Sequence, residues 1–292
     1  MNRIILIETS TSLCSVALAE NGTVTAYRES SAPKAHASLT AVFVQEVLEE
    51  RGLTLAECDA VCVSKGPGSY TGLRVGVSTA KGLCFGSGKP LVAVGTLDTL
   101  VAQAQEEIAT ALTEPRNDVG DKDSTQNVIK TGDGTQNVIA SEDSTQNVIA
   151  RSEASWQSPY KHIIPMIDAR RMEVYAAVFS HIIPSSPSVI PSVVEESRYR
   201  QITETAPVIV DENSFAEHLE QGLCLFIGDG AGKCADVIKH PNAHFCQCNP
   251  KASAMLQPAM EALKEKRFED VAYFEPFYLK EFVATVSKKK LF

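Results

Sequence analysis

Two acidic residues each end an apolar, strand-like run and begin a turn. Glu8 ends "RIILIE" and leads into Thr9 and Ser10, and Asp168 ends "IIPMID". A third turn, "GDGA" at residues 228–231, follows the apolar run "LCLFI". Turn amides can hold phosphate oxygens, and a carboxylate can organise a magnesium ion beside them. The pattern therefore predicts a nucleotide site built from Glu8, Thr9, Ser10, Asp168, Gly228 and Gly230.

The same turns have a simpler interpretation, in which they are hairpins with no ligand. The stretch "ETSTS" lacks the glycine that normally lets backbone approach a phosphate closely, and Asp168 is followed by Ala-Arg-Arg. Both interpretations stay open at this point.

The stretch "GPGSYTGLRVGVSTAKGLCF" follows the apolar run "AVCVS" and predicts a turn that opens a helix. It lacks the Gly-Lys-Ser/Thr ending of a phosphate-binding Walker loop, so we do not expect that chemistry. The helix carries Gly72, Gly76 and Gly82, each of which costs about 1 kcal/mol relative to alanine. We therefore expect these glycines to have a packing role.

Small residues recur every fourth position along this helix, at Gly72, Gly76, Ala80 and Cys84. That spacing places them on one helix face, where another backbone can come unusually close. The pattern alone leaves two partners open. The strip packs on the protein's own sheet or first helix, or it meets a second chain.

The elements that would position these residues form two α/β units. "RIILIET", "CSVALAE" and "TVTAYRE" predict three strands, with Asn21-Gly22 as a hairpin turn, and alternating helices and strands follow. Residues 162–280 repeat the pattern of strand, acidic turn and strand, followed by alternating strands and helices. We predict a first lobe at 1–112, a second lobe at 162–280 with a Pro/Ser-rich loop at 181–198, and a terminal segment at 281–292 that returns to the first lobe.

Residues 113–161 differ from both units because "TQNVI" recurs there at Thr125, Thr135 and Thr145 amid polar residues. Three short copies bury too little to stack as a solenoid. We predict a disordered, low-complexity insertion between the lobes.

Composition narrows the function classes. The formal net charge of −9 makes direct binding to nucleic acid unfavourable, since that binding depends on phosphate neutralisation. The eight cysteines show no disulfide or zinc spacing, so we expect free thiols in a reduced cytoplasm. No apolar run approaches 18 residues, so no membrane partner is expected.

Several of these motifs together resemble one family. "ILIETSTSLCSVAL", "KAHASL", "GPGSYTGLRVG", "IDARRMEVYAAVF", "FIGDGAGKC" and "FEPFYLKEFV" are similar to the TsaB (YeaZ) family of bacterial tRNA threonylcarbamoyladenosine biosynthesis. The resemblance covers nearly everything outside the two unusual segments.

The resemblance implies an actin-like, ribonuclease H-like fold of two lobes and a role as a non-catalytic scaffold. The implied partners are the catalytic sibling TsaD, the ATPase TsaE and a second copy of the chain. Their complex transfers a threonylcarbamoyl group to N6 of the adenosine next to the anticodon in tRNAs reading A-starting codons. The tRNA would be contacted only through the complex, and ATP or ADP with magnesium could bind at the complex interface.

The resemblance also implies which surface binds TsaD or a second copy of the chain. In this family the helices of the first lobe mediate pairing, and here they would span residues 35–48 and 71–85. The predicted interface residues are His36, Leu39, Phe43, Gly72, Leu73, Gly76, Val77, Ala80 and Leu83.

One departure from the catalytic sibling concerns its metal. TsaD carries a His-x-x-x-His pair soon after a Gly-Lys-Pro turn, and those positions are Thr96 and Leu100 here. Neither side chain replaces imidazole as a ligand, so we expect no resident metal and no catalytic residues. The alternatives are an independent actin-like ATP-dependent kinase or hydrolase using Glu8 and Asp168, and a homodimer that senses a nucleotide.

Overall fold

A computed structural model describes residues 2–113, 128–131, 134–139, 158–182 and 199–279 of the 292-residue chain. For residues 111–113, 128–131 and 134–139 it describes the backbone alone.

The first lobe is built on a five-stranded sheet. Its strands occur in the spatial order β3-β2-β1-β4-β5, in which β1, β4 and β5 are parallel and the β1-β2-β3 meander is antiparallel. The elements of this half of the chain are β1 (Arg3–Glu8), β2 (Cys14–Glu20), β3 (Thr23–Ser30), α1 (Ala35–Glu50), β4 (Ala60–Gly66), α2 (Tyr70–Ser87), β5 (Leu91–Gly95) and α3 (Thr96–Thr113).

The ends of α2 follow from its sequence. The Ser69 side chain accepts a hydrogen bond from the Gly72 amide at 3.2 Å and so caps the first turn. Gly88 ends the helix with a φ of 69°, a left-handed conformation that favours glycine. The residues between form an unbroken helix despite their glycines.

The second lobe repeats the same strand order. β8 pairs antiparallel with β9, β9 pairs antiparallel with β12, and β8, β13 and β14 are parallel, which gives β12-β9-β8-β13-β14. The elements of this half are β6 (Val128–Thr131), β7 (Gly134–Ile139), β8 (His162–Asp168), β9 (Glu173–Ala176), β10 (Phe179–His181), β11 (Tyr199–Gln201), β12 (Ala206–Ile209), α4 (Ala216–Gln221), β13 (Cys224–Gly228), α5 (Ala231–Ala235), β14 (Ala243–Gln247) and α6 (Leu256–Lys264).

The two lobes exchange one helix each. α3 leaves the first sheet and packs on the second, where Leu100 and Ala104 contact a core that includes Ile163 and Ile227. α6 packs on the first sheet, in a core formed by alternate residues of β1, β2, β4 and β5 together with Met255, Leu256 and Ala259. The predicted boundaries at residues 112 and 162 therefore follow chain order, whereas the packing crosses them.

The other face of the first sheet is covered by α1 and α2. Alternation along β1 turns Ile5 and Ile7 toward these helices and Ile4 and Leu6 toward α6. The first sheet is thus buried on both faces, which explains its nearly continuous apolar strands.

Part of the predicted insertion contains regular backbone. β6 and β7 form an antiparallel hairpin, and β7 pairs with β14 at Phe245 and Cys246. The β-branched residues of the "TQNVI" repeat suit strand backbone. The rest of residues 114–157, most of the predicted loop at 181–198 and the terminal segment at 281–292 lie outside the described residues.

The chain returns to the first lobe before residue 281. The Glu269 amide donates to the Leu91 carbonyl at 2.8 Å, Lys81 Nζ donates to the Ala272 and Phe274 carbonyls, and the Phe277 amide donates to the Lys65 carbonyl at 2.7 Å. Residues 269–279 therefore form a strap along α2.

All eight cysteines are buried and unbridged, as predicted. No helix in the described part of the chain combines the length and apolar character needed to cross a bilayer.

The helix exchange predicts that the first lobe does not fold as the fragment 1–112. Without α6, Ile4 and Leu6 of β1 and the core residues of β5, Val92 and Val94, would face water, so we expect the fragment to lack a cooperative unfolding transition. Circular dichroism during a urea titration measures this, with the full-length chain as reference. Co-expression with residues 250–279 should restore the transition. A cooperative transition in the fragment alone would contradict the exchange.

Candidate functional site

The turn after β1 is enclosed within the first lobe. Glu8, Thr9 and Ser10 have no exposed surface. Glu8 Oε1 accepts a hydrogen bond from the Ser10 amide at 2.6 Å, and the Thr9 amide donates to Ser64 Oγ at 3.4 Å. Burial raises the pKa of the Glu8 carboxyl, although hydrogen bonds to that carboxyl from Ser10, Ser64 and Thr9 oppose the rise. Glu8 therefore holds its own turn and does not project into an open cleft.

The segment that covers this turn is the glycine-rich stretch before and within α2. The Ser69 amide donates to the Ser10 carbonyl at 2.6 Å. A Cβ atom added to Gly68 would lie 2.4 Å from the Ser10 carbonyl oxygen, and one added to Gly72 would lie 2.1 Å from that of Thr9. At Gly76 the nearest atom would be Thr9 Oγ1 at 2.2 Å. These glycines let α2 approach the turn more closely than any other residue would allow.

The small-residue strip thus packs inside the first lobe, which differs from the predicted contact with a second chain. Gly72, Leu73, Gly76, Val77 and Ala80 are buried against β1, β2 and β4. Of the other predicted interface residues, Phe43 is buried in the same core, and His36, Leu39 and Leu83 are half-buried. The strip shares its helix face with Leu73 and Val77, and that apolar face turns toward the sheet.

The matching turn in the second lobe is held by an internal lysine. Lys233 Nζ donates to Asp168 Oδ1, to the Arg171 carbonyl at 2.8 Å and to the Glu173 carbonyl at 2.7 Å. Asp168 Oδ1 also accepts from the Arg170 amide at 2.7 Å. The Lys233 ammonium group therefore occupies the position from which a ligand would contact the Asp168 carboxylate and the carbonyls of this turn.

Asp168, Gly228 and Gly230, three of the six residues of the predicted nucleotide site, lie close together in the second lobe. The Asp168 amide donates to Asp229 Oδ1 at 2.8 Å, and the Gly230 amide donates to the Met166 carbonyl at 3.1 Å. Gly228 has a φ of +133°, and a Cβ there would lie 2.1 Å from the Met166 carbonyl oxygen. Glycine is required at this position by both conformation and space.

Sequence reasoning missed Asp229 and Lys233. Both lie in "GDGAGK", where two charged residues occur inside a short glycine turn between an apolar strand and a helix. That placement is the signal that could have identified them. The Asp168 turn is held by hydrogen bonds within its own lobe, whereas the Glu8 turn is enclosed and leaves Glu8 Oε2 and Thr9 Oγ1 without a hydrogen-bond partner among the described residues. Neither turn is arranged as an open phosphate site.

A different surface of the first lobe is open. α1 and α2 cover the same face of the sheet, so the sides that point away from it form one surface. We define the outer α1–α2 face by five residues. Phe85 is 87% exposed, Val42 is 42% exposed, and a Cβ added at Gly82 would meet nothing within 4 Å. Its remaining members are Val75, which is half-buried, and Ser78, which is exposed.

Thr96 and Leu100, the two positions at which the resemblance implies that no metal is held, are both in the core. Thr96 and Leu100 have no exposed surface and begin α3. Within the described residues, no group of three or more His, Cys, Asp or Glu side chains is arranged to hold a metal ion.

Comparisons with known proteins match part of the chain in sequence. The family model for TsaD, tRNA N6-adenosine threonylcarbamoyltransferase, matches residues 29–117. The tRNA threonylcarbamoyladenosine biosynthesis protein TsaB of Escherichia coli K12 is 40% identical over 102 residues, which are 35% of this chain and 44% of that protein. TsaB of Haemophilus influenzae is 39% identical over 108 residues, or 37% of this chain and 45% of that protein.

A solved structure matches the fold over nearly the whole chain. YeaZ from Pseudomonas aeruginosa superposes with a TM-score of 0.66 and 21% identity, covering 96% of this chain and all of that chain. The strand order and this match define a two-lobed protein of the actin-like, ribonuclease H-like class. The chain is similar to TsaB proteins in sequence and to YeaZ in fold, in agreement with the motif resemblance. In sequence it spans slightly under half the length of the curated relatives that it matches.

The close approach of α2 predicts opposite effects for two glycines of one helix. Gly72→Ala forces the Thr9 backbone to move and should lower the free energy of unfolding by about 1–3 kcal/mol. Gly82→Ala meets open space and should raise it by up to about 1 kcal/mol. Urea unfolding of both variants measures the difference. Equal effects would show that α2 does not lie against the turn.

The Asp229 carboxyl predicts a pH dependence of stability. Burial raises the pKa of Asp229 to about 6, so the unfolded chain, which has the lower pKa, holds fewer protons between about pH 4 and 6. This group's contribution to stability therefore decreases as pH rises through that window. Asp229→Asn keeps the oxygen that accepts from the Asp168 amide and should flatten the dependence. Thermal unfolding from pH 4 to 8 tests this, and an unchanged slope in the variant would contradict it.

Proposed function

We propose that this chain is a non-catalytic subunit of the machinery that makes threonylcarbamoyladenosine in tRNA, and that it acts by docking on a TsaD-like enzyme. The observation that carries the proposal is the outer α1–α2 face. Phe85, which is 87% exposed, lies on this face, within the residues 29–117 that match the TsaD family model. Large exposed apolar side chains of this kind commonly mark protein interfaces.

The TsaD-like identity of the partner is supported by shared sequence. The TsaD family model matches residues 29–117, which include all of α1 and α2. A tRNA N6-adenosine threonylcarbamoyltransferase of Maricaulis maris is 42% identical over 67 residues, or 23% of this chain and 18% of that enzyme. A TsaD-like protein would therefore present a similar pair of helices, and related surfaces can pair about a pseudo-two-fold axis.

The chemistry of the outer α1–α2 face suits such pairing. Phe85 can supply an aromatic anchor, and a buried aromatic contributes strongly at the centre of an interface. Gly82 has no side chain and open space above it, so a partner helix can approach closely there. Val42 and Val75 add apolar area on the two helices.

A non-catalytic role is supported by the enclosure of the groups that could do chemistry. Glu8 is fully buried beneath Ser10, Asp168 is paired with Lys233, and Thr96 and Leu100 occupy the positions of the sibling's metal ligands. In this proposal the reaction takes place in the TsaD-like partner. TsaE, tRNA, nucleotide and magnesium would join through that complex, and a homodimer would use the same face when the partner is absent.

The proposal predicts that Phe85→Asp weakens binding to the TsaD-like protein of the same genome by at least about tenfold, because a carboxylate would be buried among apolar groups. Isothermal titration calorimetry of the two purified proteins measures the affinity. Ile209→Asp is the matched control, since Ile209 is 77% exposed on β12 of the other lobe and should leave affinity unchanged.

Circular dichroism confirms that both variants fold. Unchanged affinity in Phe85→Asp would remove the outer α1–α2 face from the interface. No binding by the wild-type chain would overturn the proposed partnership itself.

A further inference from the structure

A cavity of about 440 Å³ lies between the lobes, away from both acidic turns. It is bounded by the end of β5, one side of α3, strands β10 and β11, and α6. A second cavity of about 260 Å³ adjoins it and shares Lys65, Gly95, Asp98 and Gln201. None of the six predicted nucleotide-site residues lines either one. The cavity is thus a separate feature of the fold.

The floor of the larger cavity is apolar. α3 contributes Val101, Ala102 and Ile108, which share the side of the helix that faces the cavity, and Phe179 closes it from β10. These side chains are buried, so the floor belongs to the fixed core between α3 and the second sheet. Such a floor can accept the methylene groups of a small molecule.

Charged side chains surround this floor. Lys65 and Arg267 lie with Asp98 at one end, since both cations act on the Asp98 carboxyl. Glu106 lies two turns further along α3, and Glu261 projects from α6. Within the described residues Lys65, Asp98, Glu106 and Glu261 have no ion-pair partner within 4 Å, whereas Arg267 pairs with Glu265.

The separation of the two ends sets the length of a suitable ligand. Asp98 and Glu106 are eight residues apart on one helix, which corresponds to about 12 Å along its axis. One end carries the cations Lys65 and Arg267, and the other carries the acidic Glu106. Lys65, which has no ion-pair partner among the described residues, can accept an anionic group, and Glu106 can accept a cationic group, so a ligand with both groups on an extended body suits the cavity.

We propose that this cavity binds an extended zwitterionic small molecule of the basic amino acid class. Its carboxylate lies by Lys65 and Arg267, its methylene chain lies over Val101 and Phe179, and its distal cation lies by Glu106. This binding is independent of the docking proposed for the outer α1–α2 face, because no residue of that face lines the cavity.

The electrostatics of the unliganded cavity agree with this assignment. Removal from bulk water raises the pKa of Glu106 to about 7, with a smaller contribution from the neighbouring Glu107. Removal from water also raises the pKa of Asp98, against the opposing effect of Lys65 and Arg267. A bound cation would stabilise the ionised form of Glu106.

The test is isothermal titration calorimetry of the full-length chain with three probes. L-arginine carries both end groups, agmatine lacks the carboxylate, and L-norleucine lacks the distal cation. We expect saturable binding of L-arginine, with agmatine and L-norleucine each at least about tenfold weaker. No saturable binding of L-arginine at millimolar concentration would overturn the proposal.

Two variants locate the binding in the cavity. Glu106→Gln and Lys65→Gln remove one charge from each end and should each weaken L-arginine at least about tenfold. Glu220→Gln, an exposed acid on α4, is the matched control and should leave the affinity within about twofold. Binding that survives both cavity variants would overturn the proposal, as would equal loss in the control. Thermal unfolding of each variant checks that it folds.

Discussion

The rest of the structure depends on how closely α2 approaches the turn after β1. Gly68, Gly72 and Gly76 bring the helix to distances at which a Cβ would overlap Thr9 or Ser10. The enclosed turn then keeps Glu8 out of water, and the buried face of α2 carries every member of the small-residue strip. The conformational cost of glycine within a helix is thus offset by tertiary packing. Because the apolar face is used internally, the side left for a partner is the opposite one, around Gly82 and Phe85.

The duplicated sheets are joined by exchange of elements. α3 completes the core of the second lobe and α6 completes that of the first. The strap at 269–279 accepts hydrogen bonds from Lys81 Nζ and donates one to the Lys65 carbonyl. Neither sheet is therefore covered by its own half of the chain alone. The exchange also creates the charged cavity, since its walls come from α3, α6 and both sheets. In this arrangement the geometry of a site between the lobes depends on the integrity of both.

Much of the fold was predictable because its signals are local. The elements of the first lobe were predicted from alternating apolar runs, from the Asn21-Gly22 turn and from the helical spacing of apolar residues in α1 and α3. The second lobe was predicted because the pattern of an apolar strand ending in an acidic residue recurs at Asp168. Strand β14 was not predicted, because its five residues, AHFCQ, show no clear apolar alternation. The position of α6 and the orientation of the small-residue strip depend on contacts distant in sequence, which periodicity does not encode. For the site, Asp168, Gly228 and Gly230 lie close together, and their binding of a nucleotide with Glu8, Thr9 and Ser10 stays a prediction. Lys233, which donates hydrogen bonds to the Asp168 turn, was missed because a single charged residue in a short turn produces no periodic sequence pattern.

The enclosure of the β1–β2 turn can be measured at one atom. The Ser69 amide donates to the Ser10 carbonyl at 2.6 Å, a tertiary hydrogen bond that exists only when the glycine-rich stretch lies on the turn. Hydrogen–deuterium exchange of this amide by NMR, on the isolated chain, tests the central claim directly. The account predicts strong protection with no partner present. Exchange at the rate of an unstructured peptide, with protection appearing only when a TsaD-like protein is added, would contradict it.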